Sequence, residues 1–187
     1  GTADLFFSSP IRKRDYLVGR LGAALAASFI VYLVIACGIF IAQFMPWIEP
    51  QRLGPVSAWP YLWAYTLMVV PNLLFTGAIL ALFAAVARNI LWIYIGALGF
   101  LVLYSISNGL TGDLDSVWLA TLLDPMGLAA LRRTVRYWSA EDRNSGLPEF
   151  AGYLLANRVL WTSVAIGLLA AAFALFRTER AGTRRRW

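Results

Sequence analysis

The 187-residue sequence contains no histidine and a single cysteine, Cys37. Without histidine the chain lacks the usual general base, the Ser-His-Asp triad and the commonest zinc ligand. One cysteine excludes a disulfide within the chain. No glycine-rich phosphate-binding loop is present, so nothing indicates that this chain itself binds ATP. We therefore predict no catalytic residue, no metal site and no cofactor.

Charged residues are also scarce, at 14% of the sequence, whereas 60% of the residues are hydrophobic. Soluble domains carry about a quarter charged residues, and a chain of this length cannot bury so much apolar surface in one soluble core. The composition therefore predicts a protein whose solvent is the lipid bilayer. The net charge of +6 comes from basic residues near the ends of apolar runs. That placement indicates membrane topology and no nucleic-acid partner.

Four apolar segments have the character of membrane-crossing helices, which take about 20 residues each. They are residues 21–44, 61–87, 90–106 and 160–176, and no charged residue falls inside any of them. The runs are continuous and do not alternate polar with apolar residues, which favours helices over a barrel. The absence of charge indicates no intramembrane acid-base chemistry. We predict an all-α fold, a polytopic transmembrane helix bundle forming one domain over residues 1–187.

Lysine and arginine residues are distributed unequally around these segments. Ten of the 16 lie in residues 2–20, at Arg88 or in residues 177–187, whereas most of the other six lie in residues 108–157. Positively charged flanks stay in the cytoplasm. We therefore expect both ends of this chain to be cytoplasmic, in a bacterial inner membrane, and residues 108–157 to form an outer loop with short helices.

Pro71 and Asn72 fall in the middle of the second apolar segment. Proline inside a helix removes a hydrogen bond and clashes with the preceding turn, which predicts a kink. The kink is either an ordinary helix irregularity or a gating point for a transported substrate.

The outer loop carries several local helix signals. Asp124 before Pro125 is typical of a helix start, and Ser139 with Asp142 resembles a capping box. A last helix is predicted to begin at Pro148 and to run through the fourth span.

Three arginines, Arg132, Arg133 and Arg136, lie close together in this loop. They are a candidate contact for a phosphate or a lipid headgroup. The alternative is a solvated face whose charges pair with carboxylates such as Glu141 and Asp142.

The first residues suggest a family. "ADLFFSSPIRKRDYLVGRLGAALA" (3–26) resembles the segment that joins the second and third transmembrane helices of ABC-2-type exporter permeases. "VVPNLLFTGAILALFAAVARN" (69–89), "LLDPMGLAALRRTVRYWSAEDRN" (122–144) and "LLANRVLW" (154–161) resemble, more narrowly, the permeases that are fused to or encoded with a gluzincin-type aminopeptidase. The order of apolar segments and loops is also similar.

The resemblance implies that this chain covers the last four of six transmembrane helices, with two spans before Gly1. It implies a nucleotide-binding ATPase subunit and a second permease half as partners, and any peptidase would lie outside this chain. It also implies a cytoplasmic coupling segment, which contacts the ATPase through Asp4, Leu5, Phe6, Phe7, Ser8, Ser9 and Pro10. The basic residues at the membrane surface are Arg12, Lys13, Arg14 and Arg20. The alternative is an interfacial anchor, with Phe6 and Phe7 in lipid.

The function implied by the resemblance is that of a membrane-spanning permease subunit, which moves its substrate by conformational switching driven by the partner ATPase. Two alternatives stay open. One is a membrane-embedded enzyme, for which the spans hold few reactive polar residues. The other is a membrane anchor or assembly subunit without transport activity.

Overall fold

The computed structural model describes residues 12–49, 54–87, 90–111 and 117–176, and every regular element among them is helical. The predicted all-α class is therefore confirmed. The helices are α1 (Lys13–Ala42), α2 (Trp59–Val86), α3 (Ile90–Thr111), α4 (Val117–Leu123), α5 (Leu128–Thr134), α6 (Ala140–Ser145) and α7 (Gly152–Leu175).

Three helices, α1, α2 and α7, are long and apolar enough to cross a membrane. Together they indicate a membrane-embedded helical protein. The remaining predicted span forms the 22-residue helix α3, in which the apolar stretch is Ile93–Val102. Its crossing of the membrane stays a prediction, and so does the four-span topology.

Two helix starts bear on the sequence predictions. Helix α1 begins at Lys13 and continues without a break into the predicted span, so Lys13, Arg14 and Arg20 belong to the helix. The prediction that the last helix begins at Pro148 is wrong, since α7 begins at Gly152. Ala151 has an extended backbone and Gly152 has a φ of +54°, a left-handed conformation that sets the helix apart from the extended chain before it.

Helix α1 contacts the bundle along one side and exposes the rest. None of its most apolar window is buried within the chain, as expected for a surface solvated by lipid. Its most extensive contact among the described residues is with α2. The Tyr65 hydroxyl donates to the Phe29 carbonyl oxygen, and a Cβ at Gly77 would come within 2.9 Å of the Leu25 side chain. The small residue thus lets the two backbones approach.

Helix α2 is continuous through the predicted kink site, but its backbone is irregular there. Residues Tyr65–Val69 form a π-helical turn, in which the Val70 N–H donates to the Tyr65 carbonyl oxygen. Pro71 follows directly and has no N–H to donate. A π-helical turn widens the helix by one residue, which relieves the crowding that a proline causes in the preceding turn.

The most extensive helix contact among the described residues is between α2 and α7. Ala78 and Ala165 are 0% and 1% exposed at this contact and lie in one buried cluster with Phe75. The Phe75 ring lies 5.0 Å from the Trp161 ring, edge to face. Small residues that permit close approach are the usual basis of helix association in lipid, so this pair forms the centre of the bundle.

Residues 117–149, here named the cap, lie over the end of the bundle where α7 begins. Helices α4 and α5 both contact α7. Gly54, in the connection between α1 and α2, lies against the backbone of Asn144, so that connection is at the same end.

Of two local predictions for the cap, one is confirmed and one is wrong. The capping box is confirmed: the Ser139 hydroxyl accepts from the Asp142 N–H and the Asp142 carboxylate accepts from the Ser139 N–H. The bonds that the Ser139 hydroxyl and N–H donate to the Asp142 carboxylate hold the pKa of that carboxyl below its usual range. Their contribution to the stability of the folded state is therefore present at neutral pH and is lost as the pH falls through the lowered pKa. The helix start predicted at Pro125 is wrong, because α5 begins at Leu128 after the left-handed Gly127.

Candidate functional site

The predicted coupling residues, Asp4 to Pro10, lie outside the described residues. Lys13 is the first residue of α1, and Arg12 and Arg14 beside it are exposed. Arg20 is exposed and donates to the Tyr16 hydroxyl. The Tyr16 ring lies 6.0 Å from the ring of Phe176, which directly follows α7. The basic residues are therefore at the end of the bundle opposite the cap.

The structure buries a charge that sequence reasoning placed outside the membrane spans. Arg158 lies in the second turn of α7 and is only 3% exposed. Leu175, at the end of the same helix, lies about 26 Å further along the axis. Arg158 is thus close to one edge of a hydrocarbon layer about 30 Å thick. The expectation that the spans hold no buried charge is wrong for this helix, because α7 begins eight residues before the predicted span.

The guanidinium of Arg158 is bonded at all three of its nitrogens. Nε donates to Asn157 Oδ1 at 3.0 Å, and Nη1 donates to Asn72 Oδ1 at 2.9 Å. Nη2 donates to Asn157 Oδ1 and, at 3.2 Å, to the Pro125 carbonyl oxygen. These acceptors replace the water that the charge loses on burial, which is the condition for a buried arginine to be tolerated.

The two asparagines connect this arginine to the cap. Asn157 is completely buried, and its Nδ2 donates to the carbonyl oxygens of Thr121 and Asp124, each at 2.8 Å. Asn72 donates through Nδ2 to the Met126 carbonyl oxygen at 3.1 Å. Both amides therefore accept from the guanidinium and donate to the chain between α4 and α5.

Asp124 organises that chain. It is 6% exposed, and its carboxylate accepts from the Met126 N–H at 2.9 Å, the Ala129 N–H at 2.7 Å and the Tyr104 hydroxyl at 3.1 Å. Asp124 is not the N-cap residue, which is Gly127, but its carboxylate accepts from an N–H in the first turn of α5 and also attaches the cap to α3. The negative charge of its carboxylate attracts the positive charge of Arg158.

We name Asn72, Asp124, Asn157 and Arg158 the polar joint. It connects α2, α3, α7 and the cap through bonds that involve every nitrogen of the guanidinium. Because the guanidinium is buried and each of its nitrogens donates within the protein, the joint holds these elements together. Among the described side chains no group of three His, Cys, Asp or Glu residues is placed to hold a metal ion.

Sequence reasoning selected one member of the joint for function, Asn72, and only as part of a kink. It treated Arg158 as a flanking charge and passed over Asn157. The available signal was the Asn157-Arg158 pair four and three residues before Trp161, inside a run without a helix breaker. Such a pair within an apolar helix needs hydrogen-bond partners if it is buried, but the neighbouring residues do not show which partners these are.

The three arginines of the candidate anion contact do not converge. Arg132 and Arg136 line one groove in the cap, together with Arg143, which was not predicted. Arg133, in contrast, has its guanidinium carbon 4.7 Å from the centre of the Tyr153 ring. A cation over an aromatic face at this distance is an attractive pair, so Arg133 belongs to the contact between α5 and α7. Anion binding at the other two stays a prediction.

Comparison of the chain with protein-family models, with curated proteins and with solved structures gave no match.

Proposed function

We propose that this chain is the membrane-spanning permease subunit of an ATP-binding-cassette exporter, with ATP hydrolysis on a partner chain. The observation that carries the proposal is the resemblance of residues 3–26 to the coupling segment of ABC-2 permeases. In this chain the basic part of the segment belongs to α1, which runs without a break from Lys13 to Ala42. A force applied to the segment by an ATPase would therefore act directly on a long helix.

The order of helices supports the same proposal. After α1 come a connection of residues 43–58, α2, a three-residue connection, α3, the cap and α7. This is the order of long helices, tight turn and loop with short helices that the resemblance implies. In that arrangement both ends of the chain are cytoplasmic, the cap is external, and a second permease half completes the transporter.

Conformational switching requires a place where a helix can change direction. The π-helical turn of α2 and the adjacent Pro71 are such a place, because few backbone hydrogen bonds are lost there when the helix bends. We propose this point as the gating kink. The bond between Asn72 and Arg158 spans α2 and α7, so it is the interaction that a bend at Pro71 would change first.

The first test addresses the ATPase contact. Replacing Phe6 and Phe7 with alanine in the complete permease is expected to reduce co-purification of an ABC-class ATPase by at least tenfold at equal membrane levels. Aromatic residues dominate small interfaces, and each contributes about 1.5 to 3 kcal/mol when buried. Membrane insertion is expected to be unchanged, because the apolar helices carry their own hydrophobicity.

The matched variant replaces Arg12, Lys13 and Arg14 with glutamine. It should weaken attraction to anionic lipid by about 1 kcal/mol per charge and leave the ATPase bound. Unchanged co-purification of the ATPase with the double alanine variant would contradict the proposed contact. It would favour an interfacial anchor as the role of the segment, or an assembly subunit as the role of the chain.

The second test addresses orientation. In a Cys37→Ala background, a cysteine at Ser145, which is exposed in the cap, is expected to react with a membrane-impermeant thiol reagent in intact cells. A cysteine at Thr183 is expected to react only after the cells are permeabilised. The reverse labelling pattern would place the cap in the cytoplasm and exclude the coupling role of residues 4–10.

A further inference from the structure

The cap and the first turns of α2 enclose a groove of about 510 Å³. This volume is within the range of about 300 to 1,000 Å³ that is usual for small-molecule sites. Pro60 and Trp63 of α2 form one side, and the chain from Leu131 to Trp138 forms another. The extended residues Gly146, Leu147 and Pro148 close the third.

The floor of the groove is apolar and held in place. Trp63 and Leu131 pack on the buried cluster of Met68, Ala130 and Leu154. Trp138 is half-buried, and a Cβ at Gly146 would come within 3.2 Å of its ring. The same Cβ would come within 2.5 Å of the Asp142 carbonyl oxygen, so a residue other than glycine at position 146 would require the backbone there to shift.

The rim of the groove is positively charged. Arg132, Arg136 and Arg143 line it and are exposed, and no aspartate or glutamate is among its lining residues. Three arginines lining a groove with an apolar floor suit a ligand with one anionic group and a hydrocarbon part. Guanidinium binds phosphate oxygens in a bidentate manner, with shorter and stronger bonds than neutral donors make.

The position of the groove along α2 also suits such a ligand. The groove is at the cap end of the apolar helix α2, whose first residue, Trp59, precedes Pro60 of the groove and is 68% exposed. Trp47, in the connection between α1 and α2, is 77% exposed. Exposed tryptophans collect at the boundary between hydrocarbon and water. From these observations we infer that the groove binds an anionic phospholipid of the surrounding bilayer, with its phosphate at Arg132, Arg136 and Arg143 and an acyl chain over Trp63 and Trp138.

The inference does not depend on export activity and is tested on the purified chain in detergent. Native mass spectrometry measures the Kd of the first bound lipid for phosphatidylglycerol and for phosphatidylcholine with the same acyl chains. The wild-type protein is expected to bind phosphatidylglycerol at least tenfold more tightly. Inorganic phosphate at millimolar concentration is expected not to displace it, because phosphate alone gains nothing from the apolar floor.

The variant R132Q/R143Q is expected to lose at least tenfold in affinity for phosphatidylglycerol. The control R133Q removes the same single charge as R132Q, from the adjacent residue, which lies outside the groove, and is expected to stay within twofold of wild type. Arg132 and Arg143 are exposed, so both variants should fold, and equal elution in size-exclusion chromatography verifies this. If the double variant aggregates, the affinities of R132Q and R133Q are compared instead.

Three results would overturn the inference. Equal losses in R132Q and R133Q would mean general attraction of a basic protein for anionic lipid. Equal binding of the two lipids would mean that the arginines do not select the headgroup. Displacement by inorganic phosphate would mean a site for a free anion and not for a lipid.

Discussion

Replacing Arg158 with methionine is expected to lower the free energy of unfolding by about 3 to 5 kcal/mol, the usual cost of removing one partner from a buried charged network. Methionine keeps much of the side-chain volume, so the loss reports mainly the hydrogen bonds. Without the guanidinium, the Oδ1 atoms of Asn72 and Asn157 and the Pro125 carbonyl oxygen lose their donor in a buried site. Each unsatisfied group costs about 1 to 3 kcal/mol.

The measurement is reversible unfolding of the purified protein in mixed micelles, followed by near-ultraviolet circular dichroism. The control is Arg133→Met, a change of the same chemistry at the partly exposed stack on Tyr153, which should cost about 1 kcal/mol or less. Arg158→Lys is expected to fall between the two, because lysine keeps the charge but cannot reach three acceptors with a planar fork. A methionine variant as stable as the Arg133 control would show that the guanidinium is solvated and not buried.

The second large effect is expected at Gly127, which has a φ of +71°. Alanine there must adopt the left-handed conformation, at a cost of about 1 to 2 kcal/mol. Its Cβ would also lie 2.0 Å from Nη2 of Arg158. The arginine side chain is long, but its guanidinium cannot move aside without breaking its bonds to Asn72, Asn157 and Pro125. We therefore expect Gly127→Ala to cost about 3 to 5 kcal/mol in the same unfolding experiment.

Gly152 provides the matched control. Its φ is +54°, and nothing lies within 4 Å of the position that a Cβ would take. Gly152→Ala should therefore cost only the backbone strain. In an Arg158→Ala background the Gly127→Ala change is expected to cost no more than Gly152→Ala, since the group that it displaces is gone. Additive costs for Gly127→Ala and Arg158→Ala would contradict the proposed contact.

Local features of this protein were predictable from neighbouring residues. The Ser139–Asp142 capping box depends on two side chains three positions apart, and Gly146 follows the helix that it starts. That Asp124 accepts from backbone N–H groups a few residues ahead was also predictable, because aspartate favours such local bonds. The start of α5 was not, since it follows a left-handed Gly127 whose missing side chain leaves room for the guanidinium of Arg158, a residue from a distant part of the chain.

The function of the arginines was not predictable in the same way. Arg132 and Arg133 are adjacent in sequence and identical in chemistry, yet the first lines the groove and the second stacks on Tyr153. Arg143 joins the groove from another helix. Adjacent residues on a helix point about 100° apart, and only the position of α7 decides which of the two directions finds an aromatic ring.

The sequence by itself determined that this is a membrane-embedded helical protein and approximately where its long helices lie. That information is local: the length of an apolar run decides whether it can cross a bilayer, and a continuous run without alternation requires a helix. Only the tertiary structure decided that Arg158 is buried, because Asn72, Pro125 and Asn157, which accept from it, come from three separate parts of the chain. A charge enters a low-dielectric site only where such acceptors are assembled around it, and their assembly depends on how α2, α7 and the cap pack together.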